Sequence, residues 1–293
     1  MKGGSHPDAG KRSLRQSLEE YARGVAGGLL FSLPLIYTME VWWAGFMAGP
    51  PRLLAYFAIG FLLLFGYNRY SGLHEDASWL EVAFEAVEEM GLGLLLAAGT
   101  LWLLGRLEAG QPAGEMIGKV VVEGVTAAIG VSVGSAQLGG NGGAGNGKGK
   151  GHGGGMKGSR SVSEAGQIVL AVCGAVLFAS NVAPTEEIVV IAVESPRWKI
   201  LALALLSLAL GALILFYSDF RGAKSATPDE HRGPGKIFSR MVINYAVALV
   251  ASAFILWFFG RFDGTSAAVC LAQVVVLGVA GSLGASVGRL LLQ

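Results

Sequence analysis

Eight runs of mostly apolar residues dominate the chain, at approximately Ala22–Ala48, Leu53–Tyr67, Leu80–Leu104, Met116–Ala136, Gln167–Val193, Ile200–Tyr217, Met241–Phe259 and Ala267–Leu291. A helix needs about 20 such residues to cross a hydrocarbon layer about 30 Å thick, at about 1.5 Å of rise per residue. The runs therefore predict an all-α, integral membrane fold of about eight transmembrane helices. The fourth is the weakest, because Glu115, Lys119 and Glu123 dilute its start, and its reading is open between a full span and a re-entrant segment. Charge is scarce enough to exclude water-soluble packing: 15% of the 293 residues are charged and 53% hydrophobic, where soluble domains carry about 25% charged residues. A formal charge of +1 gives no field that would steer the chain to nucleic acid.

The loops carry the topological information. With the N-terminus inside, sixteen Lys and Arg fall on the inner side and six on the outer, Arg52, Arg106, Lys119, Arg197, Lys199 and Arg261. Positive charge collects on the cytoplasmic side of membrane proteins. The count therefore predicts a multi-pass cell-membrane protein with an even number of spans and both termini cytoplasmic. The first twenty residues lack the apolar core and cleavage site of a secretory signal and are expected to stay attached. Cys173 and Cys270 lie inside apolar runs with no second ligand at metal spacing, and are read as packing residues.

The tract Gly139–Gly158, GGNGGAGNGKGKGHGGGMKG, cannot bury apolar surface and reads as a flexible cytoplasmic linker. No strand precedes its glycines and no GK[ST] closes them, so they form no phosphate cradle. The organisation expected is a tail over 1–21, a membrane repeat over 22–138, a linker over 139–163 and a second repeat over 164–293. The halves resemble each other. LLFSLPLIYTMEVWW from Leu29 lies over AVLFASNVAPTEEIVV from Ala175 at an offset of 147, matching Phe31 to Phe178, Thr38 to Thr185 and Glu40 to Glu187. LWLLGR at Leu101–Arg106 matches LWFFGR at Leu256–Arg261 at an offset of 155, and KVVVEGVTAAIGVSVG at Lys119–Gly134 matches QVVVLGVAGSLGASVG at Gln273–Gly288 at 154. Two units of four spans each predict parallel repeats, whose interface is where transporters hold their sites.

Ionisable groups cost a few kcal/mol or more inside a bilayer, so an intramembrane carboxylate is read first as functional. Glu40 and Glu187 lead, about 9–15 Å from the outer end of their segments by helix rise. Around the second lie Ser180, Asn181, Pro184, Thr185 and Glu186, and around the first Ser32, Pro34, Tyr37 and Thr38. Carboxylate, amide and hydroxyl oxygens beside a proline-freed carbonyl suit a hard cation such as Ca²⁺, Mg²⁺, Mn²⁺ or Na⁺, or proton exchange. The competing reading is that these groups tie helices together. Glu81, Glu85 and Glu88 form a stripe near the inner end of the third segment, read as either a funnel or a solvated face. Glu89 is the deepest acid there, with Asn244 at its equivalent position. Trp42, Trp43, Trp79, Trp102 and Trp257 fit an aromatic belt, and Arg106 and Arg261 are expected to snorkel. All four histidines, His6, His74, His152 and His231, lie in polar segments, and nothing resembles an enzyme's catalytic set. The pattern assigns neither a cofactor nor a particular metal.

SLPLIYTMEVWW, SNVAPTEEIVVIA and the repeated LW(L/F)(L/F)GR resemble a family of predicted bacterial integral membrane proteins of unassigned function, over nearly the whole chain apart from the linker. SNVAPTEEI is also similar to the ion-binding signature of the cation/proton and sodium/calcium exchanger superfamily. That similarity implies roles for Ser180, Asn181, Pro184 and Glu187, although four spans per repeat and parallel repeats depart from that superfamily. The expectation is a transporter or channel for a cation or protons, with the bilayer as surroundings. The alternative is a membrane sensor or scaffold without transport.

Overall fold

The computed structural model describes residues 14–71, 78–139, 164–222 and 234–290. The glycine-rich linker beyond Gly139, the start of the N-terminal tail and all four histidines lie outside them. Among the described residues the chain forms α-helices and no strand: α1 (Leu14–Ile36), α2 (Met39–Met47), α3 (Pro50–Ser71), α4 (Trp79–Leu103), α5 (Ala113–Gly139), α6 (Glu164–Ser180), α7 (Glu187–Glu194), α8 (Arg197–Gly222), α9 (Pro234–Phe258) and α10 (Ala267–Leu290).

Six of these, α3, α4, α5, α8, α9 and α10, are long and apolar enough to cross a bilayer. The fourth apolar run, weakest by composition, is an unbroken helix of 27 residues and the most enclosed of the six. The expectation of about eight transmembrane helices is met in part, since the first and fifth runs are not single helices. The first is broken into α1 and α2 with a bend of 86°, and the fifth into α6 and α7. The reason is chemical: Pro34 and Pro184 each lack an N–H, which takes the partner from a carbonyl one turn earlier. After Pro34 the chain tightens, with Thr38 N–H donating to the Leu35 carbonyl at 2.7 Å.

α5 is a hub on which α1, α2, α3 and α4 all pack, and α10 receives α6, α7, α8 and α9. Glycine explains the close approach. A Cβ on Gly27 of α1 would lie 2.5 Å from the Gly134 Cα and 2.6 Å from the Gly130 carbonyl oxygen of α5. A Cβ on Gly174 of α6 would lie 2.1 Å from the Gly284 oxygen and 3.0 Å from the Gly288 Cα of α10. Both hub helices thus carry a small-xxx-small face, which lets helices pack in lipid where no hydrophobic drive joins them. α1 and α5 run antiparallel, because Gly24, Gly27 and Gly28 meet Ser135, Gly134 and Val131 in descending order.

The LW(L/F)(L/F)GR motif is a helix stop. Gly105 and Gly260 take left-handed φ of 66° and 71°. Arg106 N–H donates to the Leu101 carbonyl and Gly105 N–H to Trp102, as Arg261 does to Leu256 and Gly260 to Trp257. This paired pattern ends a helix on a glycine because an L side chain is strained at that φ.

The buried core runs through both halves, from Leu35, Tyr56 and Leu64 to Leu177, Ile255 and Leu277. Leu62, Leu95, Val250 and Leu271 point outward, the apolar exterior that lipid rather than water accepts. Across the halves α3 meets α6 and α9, and α5 meets α6. Arg52 of α3 grips Asp263 beyond α9 with two hydrogen bonds of 2.8 and 2.7 Å.

Candidate functional site

At both helix breaks the polar residues are largely occupied in satisfying backbone. Thr38 Oγ1 donates to the Pro34 carbonyl at 2.7 Å, and Trp42 Nε1 donates to Ile36, the last residue of α1, at 2.8 Å. In the second break Ser180 Oγ donates to Val176 at 2.6 Å, Thr185 Oγ1 to Val182 at 2.9 Å and Asn181 Nδ2 to Leu177 at 2.6 Å. Asn181 Nδ2 also reaches across the halves to the Phe31 carbonyl at 3.4 Å, while its Oδ1 is buried with no partner. The expected snorkelling of Arg261 is corrected: its guanidinium turns back to donate to the Pro184 carbonyl. Arg106 lies over the Trp42 ring at 4.6 Å, so Trp42 is a structural clasp as well as a belt residue.

Glu40 begins α2, half-buried; Glu186 and Glu187 begin α7, exposed. Glu187 takes a hydrogen bond from its own backbone N–H and feels the charge of Arg261. No hydrogen bond or ion pair joins Glu40 to Glu187 among the described residues: α2 rests on α5, whereas α7 rests on α10. The acidic stripe of α4 is divided between roles. Glu81 forms a capping box with Ser78, whose N–H donates to Glu81 Oε2 at 2.7 Å, and Glu88 accepts from the Tyr21 hydroxyl.

Among the described residues two carboxyl side chains, those of Glu89 and Glu123, are buried. Glu89 accepts from Asn68 Nδ2 at 2.7 Å, and Ser132 Oγ donates to Asn68 Oδ1 at 2.7 Å, a triad from α4, α3 and α5. Asn244, its equivalent in the other half, lies in a separate cluster as acceptor of Arg289, which also donates to Gln167. Glu123 of α5 is fully buried at 0% exposure, and neither of its carboxyl oxygens has a hydrogen-bond partner. By helix rise it is about 15 Å from the start of α5, near mid-membrane. Within its electrostatic reach is the buried hydroxyl of Tyr56, which shares a hydrogen bond of 3.1 Å with Thr126 Oγ1 and has Ser180 beside it. The Tyr56 ring stacks on Phe258 of α9 with centroids 4.1 Å apart. Glu123, Thr126, Tyr56 and Ser180 are therefore brought together where the two halves meet.

Toward the N-terminal end of α5, Lys119 is buried and its Nζ donates to Glu115 Oε1 at 2.5 Å and to the Arg106 carbonyl at 3.2 Å. Lys119, Glu115, Arg106, Glu108 and Trp42 line a cavity of about 230 Å³ at that end. The sequence reading missed Glu123 as a site. The rule that a membrane-embedded acid is functional applied to it, but the residue was counted only as diluting its segment.

Chemically, an ionised carboxylate without a partner costs several kcal/mol in such surroundings, so Glu123 must be matched by a proton or a cation. Among the described residues no group of three or more His, Cys, Asp or Glu is arranged to hold a metal ion. Long apolar helices, glycine-mediated hubs and a carboxyl at mid-depth define a multi-pass α-helical integral membrane protein. Residues 20–292 match the profile of the family described as "Putative integral membrane protein (DUF2391)", and the chain belongs to that family. No curated protein and no solved structure matches it.

Proposed function

We propose that the protein is a transporter or channel whose carried or coupled species is the proton, with Glu123 as the central carrier and Glu89 as the inner one. The observation that carries this reading is the fully buried Glu123 with both oxygens unpartnered at the meeting of the two halves. Polar groups continue on either side of it. Glu115 and Lys119 lead outward, and Tyr56, Thr126, then Ser132, Asn68 and Glu89 lead inward. A single acid with hydroxyl neighbours suits a proton better than a divalent cation, which takes 6–8 oxygen ligands as Ca²⁺ or a near-ideal octahedron as Mg²⁺. Glu40, Glu186, Glu187, Thr38, Thr185 and Asn181 then serve the helix breaks, with Ser180 shared between break and site.

The same reading takes α1 with α2, and α6 with α7, as one broken span each, giving eight spans in two parallel units. Its support is the glycine contacts. Gly27 against Gly130 and Gly134, shifted by the offsets of 147 and 154, gives Gly174 against Gly284 and Gly288. Broken helices at a repeat interface are where transporters bind their ions.

The test is proton flux in proteoliposomes of purified protein with an internal pH dye, with Ca²⁺, Mn²⁺, Mg²⁺, Na⁺ and K⁺ added outside in turn. Glu123→Gln should abolish the pH change and Glu187→Gln should leave most of it. Flux unaltered by Glu123→Gln would remove Glu123 from the path, and flux absent for every ion in folded inserted protein would return the chain to the sensor or scaffold class.

A further inference from the structure

Glu115, Lys119 and Glu123 stand at successive i, i+4 positions of α5, so all three face the same way with one turn between neighbours. A lysine in the middle of such a trio is within reach of either acid. Here it is bonded to the outer one, Glu115, and the inner one has no partner. The preference has a cause: helical side chains lean toward the N-terminus, and a Glu–Lys pair is stronger with Glu on that side. Lys119 is itself 6% exposed, held in the α2–α5 contact where Gly45 sits against its backbone. A buried ammonium has few alternatives to a carboxylate.

We propose that Lys119 is a tethered counter-ion that moves one helical turn along α5, from Glu115 to Glu123, when Glu123 releases its proton, and returns when the proton is regained. This rests on the reading of Glu123 as a proton carrier. In the outward state the trio is a Glu115 carboxylate, a Lys119 ammonium and a Glu123 carboxylic acid. In the inward state the proton of Glu123 has passed to water, Lys119 remains an ammonium now bonded to the Glu123 carboxylate, and Glu115, half-buried beside the outer cavity, is solvated.

Among the groups near this stripe, Glu108 lines the same outer cavity as Glu115 and Lys119. α3 brings Tyr56, α2 brings Glu40 at its first turn, and the loop before α5 brings Arg106, whose guanidinium is engaged on Trp42. Glu89 of α4 is bonded to Asn68 further in. α1 and α6 bring the hydroxyls Ser32 and Ser180, both fully buried. Lys119 is thus the cation best situated to answer a charge on Glu123. The second half lacks the device, since Gln273 and Leu277 stand at the positions equivalent to Lys119 and Glu123.

The test uses dicyclohexylcarbodiimide, which enters membranes and reacts with protonated carboxyls in apolar surroundings, with adduct on Glu123 quantified by mass spectrometry. In Glu115→Gln the lysine loses its charged outer partner, keeping there only neutral carbonyl acceptors such as that of Arg106, and shifts to Glu123, so labelling at mildly alkaline pH should fall ~10-fold, the factor that about one pK unit of pairing supplies. In Lys119→Met labelling should instead equal or exceed wild type, and Lys119→Arg should restore the wild-type level. Labelling that moves the same way in Glu115→Gln and Lys119→Met, or in neither, overturns the proposal, provided each variant keeps its monodisperse elution. The two readings fail separately. Opposite shifts with flux unaltered in Glu123→Gln would keep the counter-ion and remove Glu123 from the path; lost flux with identical labelling would do the reverse.

Discussion

Replacing Glu123 by leucine should make the protein more stable and inactive at once. Both carboxyl oxygens are buried without a partner, at 0% exposure. A neutral polar group held that way costs about 1–3 kcal/mol by comparison with a solvated one. Leucine removes that penalty and occupies a similar volume. The other half offers a precedent, because Leu277 stands at the equivalent position of α10 and is itself fully buried. For domains of 150–250 residues, 1 kcal/mol corresponds to roughly 2–4 °C in melting midpoint, so a rise of several degrees is expected. The assay is thermal unfolding of purified protein in lipid nanodiscs, read by tryptophan fluorescence, beside proton flux in liposomes. Glu89→Leu is the control with the opposite sign. It strips Asn68 Nδ2 of its acceptor and leaves that buried amide unsatisfied, so stability should fall by about 1–3 kcal/mol. If Glu123→Leu destabilises as much as Glu89→Leu, the Glu123 carboxyl is engaged in the folded protein and the argument from an unpartnered acid is refuted.

Other perturbations test the frame around it. Gly27→Val should prevent α1 from seating on α5, since its Cβ would lie 2.5 Å from Gly134 Cα, costing about 1–3 kcal/mol or more and lowering monodisperse yield by size exclusion. Gly91→Ala, with nothing within 4 Å of the new Cβ, should be neutral or gain up to about 1 kcal/mol of helix propensity in the same assay. The Arg52–Asp263 bridge predicts a pH effect: the hydrogen bond from Arg52 holds the Asp263 carboxyl below its usual range. The bridge therefore contributes fully above the unfolded aspartate value near 3.9 and is lost as pH falls through the lower folded value. The gap in melting midpoint between wild type and Asp263→Asn should accordingly close on acidification, and it should be small because the pair is exposed to solvent. Cys173, buried, should resist maleimide under conditions where the partly exposed Cys270 reacts, as mass spectrometry would read.

Membrane placement was legible because hydrocarbon thickness sets a length that composition alone can meet, and residues 20–292 belong to a membrane family. The LWxxGR stop was visible as a repeat before its meaning was, since only the backbone shows Gly105 and Gly260 at left-handed φ. What escaped were the partners at the breaks. Pro34 and Pro184 were in view, but whether a proline bends a helix or divides it depends on which side chains catch the freed carbonyls. Trp42 and Arg261 do so from positions read as belt and snorkel, and Thr38 from one read as an ion ligand. Polar residues near a break look the same in sequence whether they hold an ion or cap a carbonyl. That is why Glu187 led the sequence reading and Glu123 did not.

On the reading of the chain as a duplicated unit, the asymmetry between its halves carries the functional weight. Packing positions are kept: the glycines of α1 and α5 recur in α6 and α10, and both copies end a helix on the same glycine. The ionisable positions at the helix breaks and stops are kept, Glu40 with Glu187 and Arg106 with Arg261, but the buried ones diverge, with Lys119, Glu123 and Glu89 standing against Gln273, Leu277 and Asn244. A requirement for tight helix packing acts equally on both halves and would leave both alike. A charge in the membrane interior carries a desolvation penalty and must be compensated, and the halves differ in how: the second holds Arg289 between Asn244 and Gln167, whereas both oxygens of Glu123 in the first are unpartnered. On the proton-carrier reading proposed above, the path runs along α5 and its neighbours, with Ser180 and Phe258 of the second half in its wall. Introducing Gln273→Lys with Leu277→Glu should lower stability without adding flux, since no second outer acid stands where Glu115 does: its equivalent at the offset of 154 is Val269.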